Sequence, residues 1–436
     1  MTAPESAPAL VRTVGFWGLV AMCINAVIGS GVFLLPSQSY KLLGPFSLWA
    51  PLIFAVPVFI LVLCFAEAAS HFTEPGGAYL YAKTAFGDFV GFETGWMNWL
   101  ARVSSLAALS NGFVVSLARL WPPLGIGEWR VAIIVGSLLI LAAIHFVGVR
   151  YGAASIYVFT FGKLIPLVGF IVVALIAFKH NPIPASLTIP GPKTDWNGAA
   201  LFMLFAYAGF ENMGVPAGEF KNPRKDLPGA LLAGTLAIAA IYVLAQLGAM
   251  ASLSDLSKTE TPIADAGAAI LGPIATLIIT VGALLSIAGT NSGTVLEGSR
   301  MLYALSLGRK RLRWISHVDA RFHTPTVAIV IHTIAALVLA LAGSFAKLAM
   351  LSAVARLTTY LFTCAGVPRL RRISEGFRTP GLWLPILGTL ISLALFLSLD
   401  RNNFLAAGIA LTAGAALQLW AGPPAPDALP ETELTG

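Results

Sequence analysis

Four ionisable side chains, Arg102, Lys163, Glu211 and Arg356, lie near the middle of long apolar runs. In a bilayer each costs about 2.5 to 3.5 kcal/mol on insertion scales, so each needs a partner or a task. Glu211 falls in FAYAGFENMGVPAG (205–218), where glycines interrupt the helical pattern. A carboxyl group placed there is a candidate proton carrier or sensor; the alternative is a fixed salt bridge to Arg102 or Arg356. Lys163, in FGKLIPLVG, lies roughly 10 residues into its run, about 15 Å at helical rise, from where snorkelling to a surface is strained. An ammonium held at that depth can stand where a sodium-coupled carrier holds its cation, and if buried it loses its proton readily, which makes Lys163 a second proton-coupling candidate beside Glu211. Arg102 and Arg356 read as braces between helices.

The second chemical feature is backbone. Gly29, Ser30 and Gly31 interrupt NAVIGSGVFLLP (25–36) at mid-run. Unwound backbone survives in hydrocarbon only where protein or a water-filled cavity satisfies it, so a break implies a cavity or a ligand. The incoming half-helix ends in free carbonyls, and the outgoing one starts with free amides near Ser30, Gly31 and Val32. A zwitterion fits this pair of ends: its ammonium goes to the carbonyls, its carboxylate to the amides and the Ser30 hydroxyl. An α-amino acid carries both groups at about that spacing. Close helix packing is the competing explanation, but packing motifs place small residues four apart, whereas Gly29 and Gly31 are two apart. Gly289 and Gly293 do have the packing spacing.

Other polar residues read more plainly. Glu67, near a helix end, reads as solvated or capping; His145 and His332 read as packed core histidines. Glu297 precedes Arg300 by three positions, which suggests a local ion pair. There is no phosphate-binding loop, zinc helix or nucleophile elbow, so no catalytic residue, metal or cofactor is expected. Any work must draw on gradients or exchange.

The elements that position these groups follow from composition. Of 436 residues, 57% are apolar and 11% charged, against about 25% charged in soluble domains. Apolar windows of 18 or more residues fall near 13–36, 46–70, 88–118, 130–147, 153–178, 197–219, 227–251, 272–304, 324–343, 346–367, 380–399 and 402–420. These predict an all-α membrane protein of about twelve spans. An even number places both termini on one side, and with that side cytoplasmic the opposite loops hold about half as many Lys and Arg. The interrupted first and sixth runs are five apart, so the chain divides into two five-span halves of inverted topology. Paired interrupted segments are the best sequence pointer to a secondary transporter's midplane site. Residues 1–12 and 421–436 then form short cytoplasmic tails around one transmembrane domain, 13–420, with repeats near 13–178 and 197–367 and two added helices near 380–420. The polar N-terminus lacks the order of a cleaved signal. Cys23, Cys64 and Cys364 all lie in apolar runs, excluding a disulfide framework. The net charge of +7 is dispersed over loops, which argues for membrane orientation rather than nucleic acid.

With those residues in view, the chain resembles the amino acid-polyamine-organocation superfamily over nearly all of 10–420. The matching segments are GSGVFLLP (29–36), AEAASHFTEPGGAYLYAKTAFG (66–87), FGKLIPL (161–167), FAYAGFEN (205–212), KNPRKDLPGAL (221–231) and SRMLYAL (299–305). The resemblance implies a five-plus-five inverted repeat of the leucine-transporter fold with discontinuous first and sixth helices, and transport of amino acids or related amines. By position, the substrate ammonium meets carbonyls of Val27, Phe205 and Ala208, and the carboxylate meets the groups around Ser30 and Gly31. The implied binding set is Val27, Ile28, Gly29, Ser30, Gly31, Val32, Phe205, Ala208 and Gly209. Phe205 matches an aromatic that caps the substrate, Glu211 a proton-responsive carboxylate, and Lys163 a lysine that replaces a second sodium ion. Gly293 stands where arginine exchangers carry an indole, which removes a cation-π clamp and points to neutral L-amino acids. An amine, polyamine or cationic amino acid exchanger is the alternative, and a non-transporting amino acid sensor a more distant one. The loop 119–130 lacks the cysteine that joins animal relatives to a glycoprotein, so no disulfide-linked heavy chain is expected. The expected partners are an amino acid, a proton or counter-substrate, and the lipid of a bacterial inner (plasma) membrane.

Overall fold

The computed structural model describes residues 14–72, 76–147, 152–177, 194–213, 221–373 and 375–423. Backbone polar groups inside hydrocarbon must be satisfied within their own segment, and the apolar runs accordingly become helices. Among the described residues there are fifteen α-helices and no sheet. They are α1 (Phe16–Val27), α2 (Gly31–Leu43), α3 (Ala50–Ser70), α4 (Gly77–Phe86), α5 (Asp88–Ala118), α6 (Gly127–Val147), α7 (Gly152–Ala177) and α8 (Trp196–Tyr207). There follow α9 (Pro223–Ser252), α10 (Pro262–Leu271), α11 (Pro273–Ser306), α12 (Thr326–Ala342), α13 (Phe345–Ile373), α14 (Trp383–Leu397) and α15 (Arg401–Ala421).

Seven of these, α3, α5, α6, α9, α11, α13 and α15, are long and apolar enough to cross a bilayer. The pair α1 and α2, bent by 49° at its break, is long and apolar enough only when taken together. Shorter apolar helices, α8, α12, α14 and the Phe161–Ala177 part of α7, lie within the other apolar runs. Two of them are short because the chain turns early: α8 ends at Tyr207 before a non-helical Ala208, and α12 ends at Ala342 before an extended Gly343.

The central layer is α5, packed along α11 and α13. Around it, α9 packs on α1 and α3, α7 packs on α11, and α2 meets α8. The outer faces of α6, α14 and α15 carry exposed Leu139, Ile140, Leu390, Ile409 and Leu419, an apolar exterior suited to lipid. Two short helices absent from the hydropathy reading, α4 and α10, each end in a glycine of positive φ, Gly87 (93°) and Gly272 (78°), that turns directly into α5 and α11.

Glu67 departs from expectation. It is fully buried, salt-bridged to Arg371 at 2.5 Å, and accepts hydrogen bonds from Thr379 N at 2.9 Å and Thr379 Oγ1 at 2.6 Å. The reason is that the segment after α13 folds back over the C-terminal end of α3, where Phe377 N also donates to Ser70 Oγ at 2.8 Å. At the same end of α11, the buried Arg309 binds Asp88 at 2.8 Å and the Gly422 carbonyl, tying the end of α15 to the start of α5.

Candidate functional site

The two interrupted segments face each other. In the first, α1 stops at Val27, Ile28 is extended (φ −74°, ψ 92°), and α2 restarts at Gly31. In the second, α8 stops at Tyr207, Ala208 is extended (φ −68°, ψ 146°), and Gly209 takes φ 131° before a single 3-10 turn, Phe210–Asn212. Residues 214–218 of the second motif lie outside the described residues. The breaks touch at two points. A Cβ at Gly31 would lie 3.4 Å from Ala206 Cα, and one at Gly209 would lie 2.5 Å from the Ala26 carbonyl oxygen. Gly209 therefore needs glycine twice over, for its φ and for the approach of a backbone oxygen.

Each break is held by a buried charge. Lys163 on α7 has no exposure and donates through Nζ to the carbonyls of Asn25 at 3.0 Å and Ile28 at 2.6 Å. Ser286 on α11 donates to the carbonyls of Ile28 at 3.2 Å and Gly29 at 3.0 Å. The C-terminal carbonyls of α1 that a broken helix leaves bare are thus answered by side chains. Lys163 reaches inward, away from any surface.

At the second break the Glu211 carboxylate accepts from Gly209 N at 2.8 Å. It also pairs with Arg356 Nε on α13 at 2.8 Å and Arg102 Nη2 on α5 at 3.3 Å, and accepts from Tyr360 OH at 3.4 Å. Both arginines that the sequence offered as its salt-bridge partners therefore meet it. Removing one member of such a buried set costs about 3 to 5 kcal/mol, because the remaining charge is left uncompensated. Arg102 continues to Glu297 on α11, Nη1 to Oε2 at 2.6 Å. Glu297, which spacing linked to Arg300, also reaches across the bundle.

At the amide end, Ser30 is fully buried and its Oγ has no hydrogen-bond partner among the described residues. Gly112 on α5 packs closely beside it, since a Cβ there would meet Leu34 at 3.0 Å, Phe345 at 3.5 Å and Ser30 Cβ at 3.6 Å. Phe205 is buried edge-on against Phe345, ring centroids 6.1 Å apart. A small cavity lined by Gly31, Val32, Met203, Ala206, Tyr242 and Gln246 opens beside the start of α2. The Val27 and Phe205 carbonyls each accept one local amide, from Gly29 at 2.9 Å and Ala208 at 3.2 Å, leaving a second lone pair on each oxygen.

Gly289 and Gly293 divide. A Cβ at Gly289 would fall 2.7 Å from Phe159 of α7, which is close packing, whereas one at Gly293 would meet nothing within 4 Å among the described residues. The packing expectation holds for the first and fails for the second, because the helix surface at Gly293 borders open space. His332 packs against Trp99 and Gly298, and His145 Nε2 lies 3.0 Å from Ser292 Oγ.

The chain has relatives along nearly its whole length. Residues 14–416 match the family described as amino acid permease. The chain belongs to that family. The permease is 30% identical over 378 residues to a serine/threonine exchanger of Bacillus subtilis, covering 84% of this chain and 85% of that protein. It is 26% identical to a branched-chain amino acid permease of Lactococcus lactis over 91% of this chain and 92% of that one. It is 24% identical to the b(0,+)-type amino acid transporter 1 of Mus musculus, over 89% and 82%. The permease is therefore a multi-pass membrane protein of a transporter family, not an enzyme.

Residues of the permease site that the sequence reading did not single out are Ser286, Tyr360, Tyr242 and Phe345. Tyr242 OH donates to the Ala206 carbonyl at 2.7 Å, serving the C-terminal end of α8 as Lys163 serves that of α1. A small polar residue such as Ser286 inside an apolar run carries a weak signal, since side chains bonded to their own helix look the same; Thr290, one turn on, donates to the Ser286 carbonyl at 3.0 Å.

Proposed function

We propose that this permease is a secondary active transporter of neutral L-amino acids, working by alternating access as a proton symporter or exchanger. The observation that carries the reading is the pair of opposed breaks, in contact through Gly31 and Gly209, with the Ser30 hydroxyl buried and unanswered between them. The carboxylate is assigned to the Ser30, Gly31 and Val32 amide end, and the ammonium to the second lone pairs of the Val27, Phe205 and Ala208 carbonyls. Ile28, Gly29 and Gly209 shape the backbone, and Phe205 acts as the lid. Lys163 serves as the resident cation of the first break, and the Arg102, Arg356 and Glu211 set as the brace of the second.

Neutral side chains are favoured on two grounds. Gly293 offers open space and no aromatic face, and Glu211 is occupied by two guanidiniums, which removes it as counter-charge for a polyamine or cationic side chain. Two of the relatives are named for serine/threonine and branched-chain substrates, which agrees.

The twelve-span, five-plus-five architecture is part of the proposal, and cross-bracing supports it. Helices of the fifth and eighth spans, through Lys163 and Ser286, hold the break in the first. Helices of the tenth and third, through Arg356 and Arg102, hold the break in the sixth. The glycine-terminated α4 before α5 and α10 before α11 repeat the same relation. Both termini are assigned to the cytoplasmic side of the plasma membrane.

Uptake of a labelled amino acid panel into proteoliposomes, with and without an imposed pH gradient, tests the function. Saturable uptake of neutral amino acids is expected. Uptake of putrescine, with alanine, serine and leucine inert, would replace the reading with amine exchange.

A further inference from the structure

We propose that Glu297, rather than Glu211, is the carboxyl group that gains and loses a proton during transport, and that it acts on the break after α8 through the Arg102 guanidinium the two carboxylates share. The proposal rests on the proton-coupled reading above. The two acids differ sharply in surroundings. Glu211 has a side chain with 0% exposure and receives two guanidiniums, the Gly209 amide and the Tyr360 hydroxyl. A proton there would strip two buried cations of their counter-charge and release the Gly209 amide. Glu297 has a side chain 29% exposed and pairs with Arg102 at 2.6 Å. Its partly exposed edge is open to a proton where Glu211 is closed off.

The other charged and titratable groups around Glu297 do not duplicate this role. Behind Arg102 on α5 stand Glu211 and, on α13, Arg356. Arg300 lies one turn along α11, and His332 on α12 packs its ring against Gly298. His145 on α6 is engaged with Ser292, three positions before Val295, and Lys163 on α7 is committed to the first break.

The step is a protonation. A proton from water adds to a Glu297 carboxylate oxygen, and the set of two arginines and two carboxylates gains one positive charge. Arg102 Nη1 loses its ionic partner, and the longer Nη2 contact to Glu211, 3.3 Å, becomes its remaining charge pair and tightens. Glu211 holds the Gly209 amide directly, so the shift is delivered to the residue that touches the Ala26 carbonyl across the two breaks. Deprotonation reverses it.

The test uses the full chain in proteoliposomes as wild type, Glu297→Gln, Glu297→Asp and Glu211→Gln. Labelled L-threonine and L-leucine report flux, an internal pH dye reports proton entry, and infrared difference spectra taken across a pH step report the protonated-carboxyl band. Glu297→Gln is expected to keep amino acid exchange between equal pools while losing both stimulation by a pH gradient and amino-acid-driven proton entry. Glu297→Asp is expected to keep coupling with a displaced pH profile. The infrared band is expected to vanish in Glu297→Gln and to persist in Glu211→Gln. Wild-type-like pH stimulation in Glu297→Gln overturns the proposal, as does a retained band in that variant or its loss in Glu211→Gln. If wild type moves no amino acid, the transport reading fails by itself; the infrared comparison, which needs no flux, still decides which carboxyl group titrates.

Discussion

Replacing Lys163 with methionine keeps the length of the side chain and removes its charge and its donors. In the structure, Nζ is the partner of the Asn25 carbonyl, while the Ile28 carbonyl retains Ser286 Oγ at 3.2 Å after the change. A hydrogen bond to a charged group contributes about 1.5 to 3 kcal/mol, and a buried carbonyl left bare costs about 1 to 3 kcal/mol. Sparing the methionine variant the desolvation of an ammonium offsets part of that sum, leaving about 2 to 4 kcal/mol against the open turn at residues 28–30. If that turn is the competent state, substrate affinity falls by about 30- to 1,000-fold. The assay is equilibrium binding and uptake of labelled neutral amino acids by reconstituted Lys163→Met, with a monodisperse elution profile showing that the bundle still assembles. Because Lys163 and Ser286 share the Ile28 carbonyl, Lys163→Met and Ser286→Ala are expected to be non-additive by about 0.5 kcal/mol or more in a double-mutant cycle. Affinity within twofold of wild type, or strict additivity, would refute the argument that these two side chains hold one break.

Three further outcomes follow from the same geometry. Gly209→Ala meets both a φ of 131° and the Ala26 oxygen at 2.5 Å, so about 1 to 3 kcal/mol of backbone strain is expected; uptake should fall, while Gly293→Ala, with open space around it, should fold and melt like wild type. Ser30→Ala removes a buried hydroxyl that has no partner among the described residues, so the melting temperature should hold while affinity drops about tenfold or more, the worth of a hydrogen bond to a carboxylate; the reverse pattern would make Ser30 a structural residue. Arg371→Ala leaves the fully buried Glu67 without its cation and is expected to lower stability by about 3 to 5 kcal/mol in a melting assay, with Glu67→Gln/Arg371→Met recovering much of it.

What could be read in the chain before folding was what is local. Long apolar runs name helices, and Gly29, Gly31 and Gly209 mark interruptions, because the bilayer punishes any backbone left unpaired. Lys163 was also legible, since its depth in FGKLIPLVG leaves it no surface to reach. The relations between distant positions were not. Residues 102, 211, 297 and 356 carry no mark showing that one guanidinium serves two carboxylates, and the three-residue spacing to Arg300 gave no sign that Glu297 also meets Arg102. Glu67 looked solvated because its burial comes from the segment around Thr379, some 300 positions away in sequence. Helices α4 and α10 escaped because at ten residues each they are too short to register in a membrane-length window.

The central claim is that backbone dipoles at two facing breaks hold the two ends of a small zwitterion. Competition against labelled L-alanine by L-alanine methyl ester, N-acetyl-L-alanine and unmodified L-alanine measures this most directly. Neither blocked compound should displace the label at concentrations where L-alanine does so fully, because each lacks one of the charges the breaks are built to meet. Displacement by the ester or the N-acetyl derivative at the potency of L-alanine would contradict it.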